Sequence, residues 1–88
     1  MTKVEIYTKN YCPYCHRAKA LLDKKGVTYT DIDVTFSAEL QAQMIERSGR
    51  RTVPQVFVGD VHIGGSDDLV AAERSGKLDQ LLNNHVTA

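Results

Sequence analysis

The sequence predicts an α/β fold, a small four-stranded mixed sheet in the order β-α-β-α-β-β-α with helices on both faces. Three observations predict it. Short runs rich in β-branched and aromatic residues alternate with segments of helical periodicity. The three longer helical segments each end at a glycine, Gly26, Gly49 or Gly76. Two neighbouring apolar runs flank Gly59-Asp60, which marks a hairpin. The 88 residues make one domain. At such a size folding hides only about 60% of the unfolded surface, so the core must be compact.

The first strand is Val4-Glu5-Ile6-Tyr7-Thr8. A helix follows from Pro13 to Lys25, with Cys12 at the N-cap and Pro13 at N1, where a missing N–H costs nothing. Cys15, Ala18 and Leu22, with Leu21 beside them, form the stripe that faces a sheet. Val27 to Val34 reads as a second strand, parallel to the first. Asp31 and Asp33 share one face of it, which places it at an edge. Ser37 to Ser48 is a helix with Leu40, Met44 and Ile45 as its apolar face. The hairpin pairs Val56-Phe57-Val58 with Val61-His62-Ile63, and glycine first in the turn suits type II′. Asp67 to Ser75 is a third helix, and Leu78, Leu81 and Leu82 make a short last one. Asn83 to Ala88 should fray.

Composition narrows the function. The apolar content of 42% and charged content of 25% are those of an ordinary globule. Eleven basic and eleven acidic residues cancel, so no nucleic-acid footprint is expected. No apolar leader or membrane-length span is visible, so no membrane association is expected and a cytoplasmic location is the default. In that compartment a structural disulfide is disfavoured.

Both cysteines lie in Cys12-Pro13-Tyr14-Cys15, at the junction of the first strand and the first helix. Two thiols so placed suit thiol–disulfide exchange. Cys12 faces free backbone N–H groups and the positive end of the helix dipole, a setting that favours thiolate. Lys9, Arg17 and Lys19 surround it, with no acid between Lys9 and Asp23. Cys15 lies one turn on, within the apolar stripe, and fits a resolving thiol. Tyr14 offers an exposed ring beside Cys12.

Blander readings exist for each feature. The cations could be a solvated face, Tyr14 a core aromatic and the cysteines inert. Cys12 to His16 also matches the C-x-x-C-H haem-attachment pattern. That chemistry needs export and a mostly helical wrap. Zinc would need two further ligands, and no second pair among His16, His62, His85 and the carboxylates has ligand spacing, so no metal site is expected.

Two other motifs stand out. Thr52-Val53-Pro54 enters the hairpin, with proline at a strand's first position. Base rates favour a trans bond there. Gly64-Gly65-Ser66-Asp67-Asp68 leaves the hairpin, with Ser66 or Asp67 available to cap the third helix. Its backbone N–H groups could take a carboxylate. The Asp67 side chain would repel a bare anion yet welcome a ligand that carries an ammonium beside its carboxylate, as an α-amino acid does.

Cys-Pro-Tyr-Cys after Tyr-Thr-Lys, then Thr-Val-Pro-Gln, then Gly-Gly-Ser-Asp-Asp resembles a glutaredoxin of the bacterial dithiol class, over roughly residues 3 to 82. The resemblance implies a thioredoxin-like fold, one glutaredoxin domain over residues 1–88, and a cis Val53–Pro54 bond beside the cysteines. It implies a glutathione-dependent thiol–disulfide oxidoreductase acting on glutathionyl mixed disulfides and protein disulfides. Cys12 is then the nucleophile and Cys15 the resolving thiol of a redox-active pair. Glutathione is the cosubstrate, with no tightly bound cofactor, and the protein acts as a monomer. The resemblance also implies how glutathione sits. The Val53 backbone pairs with its cysteinyl moiety beside Pro54. Its γ-glutamyl carboxylate meets N–H groups of the Gly65-Ser66-Asp67 corner, and its ammonium meets the Asp67 side chain. Lys9 and Tyr14 lie along the tripeptide and Thr52 flanks the groove. Lys9 meets the glycine carboxylate with Gln41, a neutral residue from the second helix. Rival readings are a thioredoxin-type protein with its own reductase, an iron–sulfur carrier, and a non-catalytic interaction domain. A stiff, bulky Pro13-Tyr14 turn disfavours the cluster reading.

Overall fold

The structure, a computed structural model, describes residues 3–83. Its elements are β1 (Val4–Thr8), α1 (Pro13–Lys24), β2 (Thr30–Asp33), α2 (Ala38–Ser48), β3 (Gln55–Val58), β4 (Val61–Gly64), α3 (Ser66–Ser75) and α4 (Lys77–Asn83). One four-stranded sheet runs β2-β1-β3-β4. β1 pairs with β2 in parallel and with β3 antiparallel, and β3 and β4 form the antiparallel hairpin. The expected element order and the edge position of β2 are both observed.

Strand alternation divides the core into two layers. Val4, Ile6, Val56 and Val58 point to one face, where Ala18 and Leu22 of α1, Leu69 and Ala72 of α3 and Leu78 of α4 cover them. Tyr7 and Phe57 point to the other face, against Met44 of α2 and Val34. The stripe Cys15, Ala18, Leu22 is the buried side of α1. Lys25 ties the end of α1 to α3 and α4 through Glu73 at 2.8 Å and Asp79 at 2.7 Å.

Several boundaries shift by a residue or more from the sequence expectation, and two of the shifts have a clear cause. β2 begins at Thr30, not Val27. The Val27 N–H bonds back to the Leu22 carbonyl and the Gly26 N–H to the Asp23 carbonyl, both at 3.0 Å. This closing motif of α1 takes the donor that a longer strand would need. α3 begins at Ser66, and its N-cap is Gly65, not Ser66 or Asp67. Asp68, three residues on, reaches back to accept the Gly65 N–H at 3.0 Å, so the cap bond comes from inside the helix. α2 begins at Ala38, one residue later than read, with Ser37 as its N-cap. Ser37 Oγ accepts the Leu40 N–H at 3.1 Å. At the hairpin Gly59 has φ +58° while Asp60 is not at positive φ, as type II′ requires. The fraying expected of Asn83 to Ala88 lies outside the described residues, apart from the Asn83 backbone that closes α4.

Strand direction fixes the site. β3 is antiparallel to β1 and β4, so the exit of β1, the entry of β3 and the exit of β4 meet at one end of the sheet. Cys12 follows the first, Thr52-Val53-Pro54 precedes the second and Gly65-Ser66-Asp67 follows the third.

Candidate active site

Cys12 is the N-cap of α1, in extended backbone at φ −94° and ψ 113°. Its Sγ accepts the Cys15 N–H at 3.4 Å, so helix donors point at the sulfur as the sequence suggests. On its other side Sγ lies 3.8 Å from the Val53 carbonyl oxygen. Cys12 keeps 9% of its surface exposed, whereas Cys15 keeps none. Both are free thiols. Burial, with the adjacent Cys12 adding to it, pushes the Cys15 thiol up to about 12, against the opposing pull of the Lys9 backbone and of Lys19. The fold therefore favours protonated Cys15. That contribution to stability is complete below about pH 9 and is lost as pH rises towards about 12.

The surrounding cations are less uniform than the sequence suggests. Lys19 is held by Asp31 of β2 at 2.9 Å, so most of its charge is committed there. Arg17 lies over the ring of Tyr14, 5.8 Å from its centroid. Tyr14 itself is exposed, as read. The Lys9 carbonyl accepts the Cys12 N–H at 3.2 Å and helps to shape the turn.

A cleft of about 220 Å³ is lined by Val53, whose carbonyl oxygen lies 3.8 Å from Cys12 Sγ; Cys12 itself does not line it. Tyr14, Thr52, Val53 and Pro54 line it. The Val53–Pro54 bond is cis, as the resemblance implies and against the base rate. Gly65, Ser66 and Asp67 at the start of α3 line it too. Lys9 and Gln41 do not line this cleft. Arg50 and Asp68 do, and sequence reasoning missed both. They are paired at 3.0 Å. The Gly65 N–H, and then Arg50, hold the Asp68 carboxyl below the usual carboxylate range. The available signal was two consecutive acids after Gly-Gly-Ser, of which the structure uses the second internally. Asp67 is exposed and makes no side-chain hydrogen bond or ion pair among the described residues.

Gly64 sits under this corner at φ +122°, where side chains are strained. A Cβ there would come within 2.9 Å of Asp68 Cβ and 2.8 Å of its Cγ. Gly64→Ala should therefore cost about 1–3 kcal/mol in backbone strain alone and displace the Asp68 cap. Urea denaturation reads the loss, and an unchanged midpoint would refute it.

A thiol pair at a strand-to-helix junction, set beside a cis-proline entering an antiparallel strand, defines a thiol–disulfide oxidoreductase of thioredoxin-like fold. Comparison with known proteins narrows the class. The Glutaredoxin family model matches residues 4–63. Glutaredoxin 3 of Escherichia coli K12 is 56% identical over 82 residues, covering 93% of this chain and 99% of the relative. The solution structure of glutaredoxin from Brucella melitensis is 58% identical, with TM-score 0.82 over 93% of this chain and 89% of that one. A buckwheat glutaredoxin–glutathione complex is 37% identical, with TM-score 0.85 over 94% of this chain and 78% of that one. The chain belongs to the glutaredoxin family, and its activity is glutathione-dependent thiol–disulfide oxidoreduction.

Proposed function

We propose that Cys12 is the nucleophile and Cys15 the resolving thiol, and that the cleft beside them is the glutathione site. The observation that carries this is the position of Cys12 Sγ, 3.8 Å from the carbonyl of Val53, a residue that itself lines the cleft. A tripeptide lying along Val53 brings its sulfur to that of Cys12. The solved buckwheat relative holds glutathione, which supports a ligand of this kind here.

The Cys12 thiolate attacks the glutathionyl sulfur of a mixed disulfide. The Cys12–glutathione disulfide forms, and the substrate leaves as thiolate. A second glutathione thiolate then attacks the glutathionyl sulfur on Cys12, releasing glutathione disulfide and restoring the Cys12 thiolate. For a protein disulfide, Cys12 opens the bond and Cys15, losing its proton, attacks Cys12 to free the substrate as a dithiol. Two glutathiones then reduce the Cys12–Cys15 disulfide. Within the cleft the γ-glutamyl carboxylate meets the N–H groups that open α3, with the dipole behind them. The ammonium meets the Asp67 side chain. Asp68 is engaged with Gly65 and Arg50, which leaves Asp67 for this role. Tyr14 packs along the peptide and Thr52 flanks it. Lys9 and Gln41, which do not line the cleft, would meet the glycine carboxylate where the tripeptide extends past it.

The chain acts as one glutaredoxin domain, a reading supported by α3 and α4 packing on the same core as the family-matched segment. It works as a monomer in the cytoplasm on glutathionylated and disulfide-bonded proteins. None of the described helices is long and apolar enough to cross a membrane. The direct test is turnover of a glutathionylated peptide by the protein, with glutathione disulfide formation followed through glutathione reductase and NADPH. A rate no higher than that of glutathione alone would sink the proposal.

A further inference from the structure

Gln55 follows Pro54 in the chain, and none of its surface is exposed. A buried amide carries two donors and an acceptor, all of which need partners. Here they are met by a chain that spans the hairpin. Gln55 Nε2 donates to the Thr52 carbonyl at 3.0 Å and to Thr52 Oγ1 at 3.2 Å. Gln55 Oε1 lies 2.7 Å from His62 Nε2. The Thr52 carbonyl can only accept, so the Gln55 nitrogen must face it and the Gln55 oxygen must face His62. His62 Nε2 therefore carries a proton. The His62 ring is fixed in turn by Phe57, with centroids 4.9 Å apart and planes at 30°. Burial, with Arg50 and Arg47 adding and Asp68 opposing, pushes the His62 imidazole down, towards its neutral form.

The chain ends on the peptide unit that joins Thr52 to Val53. Its carbonyl is turned inward onto Gln55. The next carbonyl, that of Val53, then faces Cys12 Sγ at 3.8 Å. We propose that Gln55 is a positioning residue for the redox reaction: its buried amide, oriented by His62, holds the Thr52–Val53 backbone in the attitude that grips the tripeptide beside Cys12. This rests on reading the cleft as the glutathione site.

The test compares two substrates, a glutathionylated peptide and the same peptide carrying a 2-mercaptoethanol mixed disulfide, which has no tripeptide to grip. Gln55→Met keeps the side-chain length and removes every hydrogen bond. It should raise KM for the glutathionylated peptide about tenfold, the order expected for one lost positioning contact. Its kcat and the rate of Cys12 alkylation by iodoacetamide should stay within about twofold of wild type, because the grip acts equally on the bound ground state and the transition state and alkylation does not use it. His62→Phe keeps the ring against Phe57 and removes only the orienting donor. It should raise the same KM about threefold, and it stands in if Gln55→Met does not fold. A lowered melting temperature with unchanged KM in the variants that fold would overturn the proposal and leave Gln55 a structural residue. A wild-type enzyme that distinguishes the two substrates, with variants that distinguish them equally well, would overturn it alone. A wild-type enzyme indifferent to the two would overturn the glutathione reading and this inference with it.

Discussion

Cys12→Ser should lower turnover of a glutathionylated peptide below about one-thousandth of the wild-type rate. Cys15→Ser should retain it. A serine hydroxyl does not ionise near neutral pH and cannot form the mixed disulfide, so the first step is lost. In the proposed scheme Cys15 takes no part in exchange with a glutathionyl substrate, whose sulfurs meet Cys12 alone. Its thiol is fully buried and held protonated, pushed up to about 12. At neutral pH iodoacetamide should accordingly modify Cys12 and spare Cys15, as mass spectrometry of the alkylated protein would show. Reduction of a protein disulfide by Cys15→Ser should instead stall, with the substrate trapped on Cys12. Turnover by Cys12→Ser, or equal alkylation of both cysteines, would reverse the assignment of roles.

Asp67→Ala should raise KM for the glutathionylated peptide about tenfold, the effect of losing one hydrogen bond to a charged group. Saturating substrate should restore kcat, because an ammonium contact made away from the reacting sulfurs would bind the ground state and transition state alike. Asp68→Ala should differ. Asp68 caps α3 through the Gly65 N–H and pairs with Arg50, so its loss should lower stability as well as binding. Steady-state kinetics together with urea denaturation separates the two. An unchanged KM for Asp67→Ala would remove the γ-glutamyl ammonium from this corner.

The elements were legible because their signals are local. Apolar periodicity found α1 and α2, glycines marked their ends and Gly59-Asp60 marked the hairpin. Misplaced boundaries arose where one donor had two possible acceptors. The Val27 N–H bonds to Leu22 within the helix closure, which no propensity of a Val-Thr-Tyr-Thr run reveals. Gly65 became the cap because Asp68 folds back onto it, a competition among three polar neighbours that composition leaves open. The site was partly legible for the same reason. Cys12 at an N-cap and Cys15 on an apolar stripe follow from helix geometry. The partners of Gln55 and the engagement of Asp68 by Arg50 depend on groups far apart in the chain.

By itself the sequence determined the element order and the asymmetry between Cys12 at an N-cap and Cys15 on a buried stripe. Periodicity, capping and charge act over a few residues and can be read there. Tertiary structure decided which segments meet. Antiparallel pairing of β3 with both β1 and β4 carries the two cysteines, the cis Val53–Pro54 bond and the start of α3 to one end of the sheet. It also decided which of two neighbouring carboxylates is engaged within the protein, and which partners the buried Gln55 amide takes. Those outcomes depend on hydrogen bonds and ion pairs that close only when the strands pair, and no local pattern encodes them.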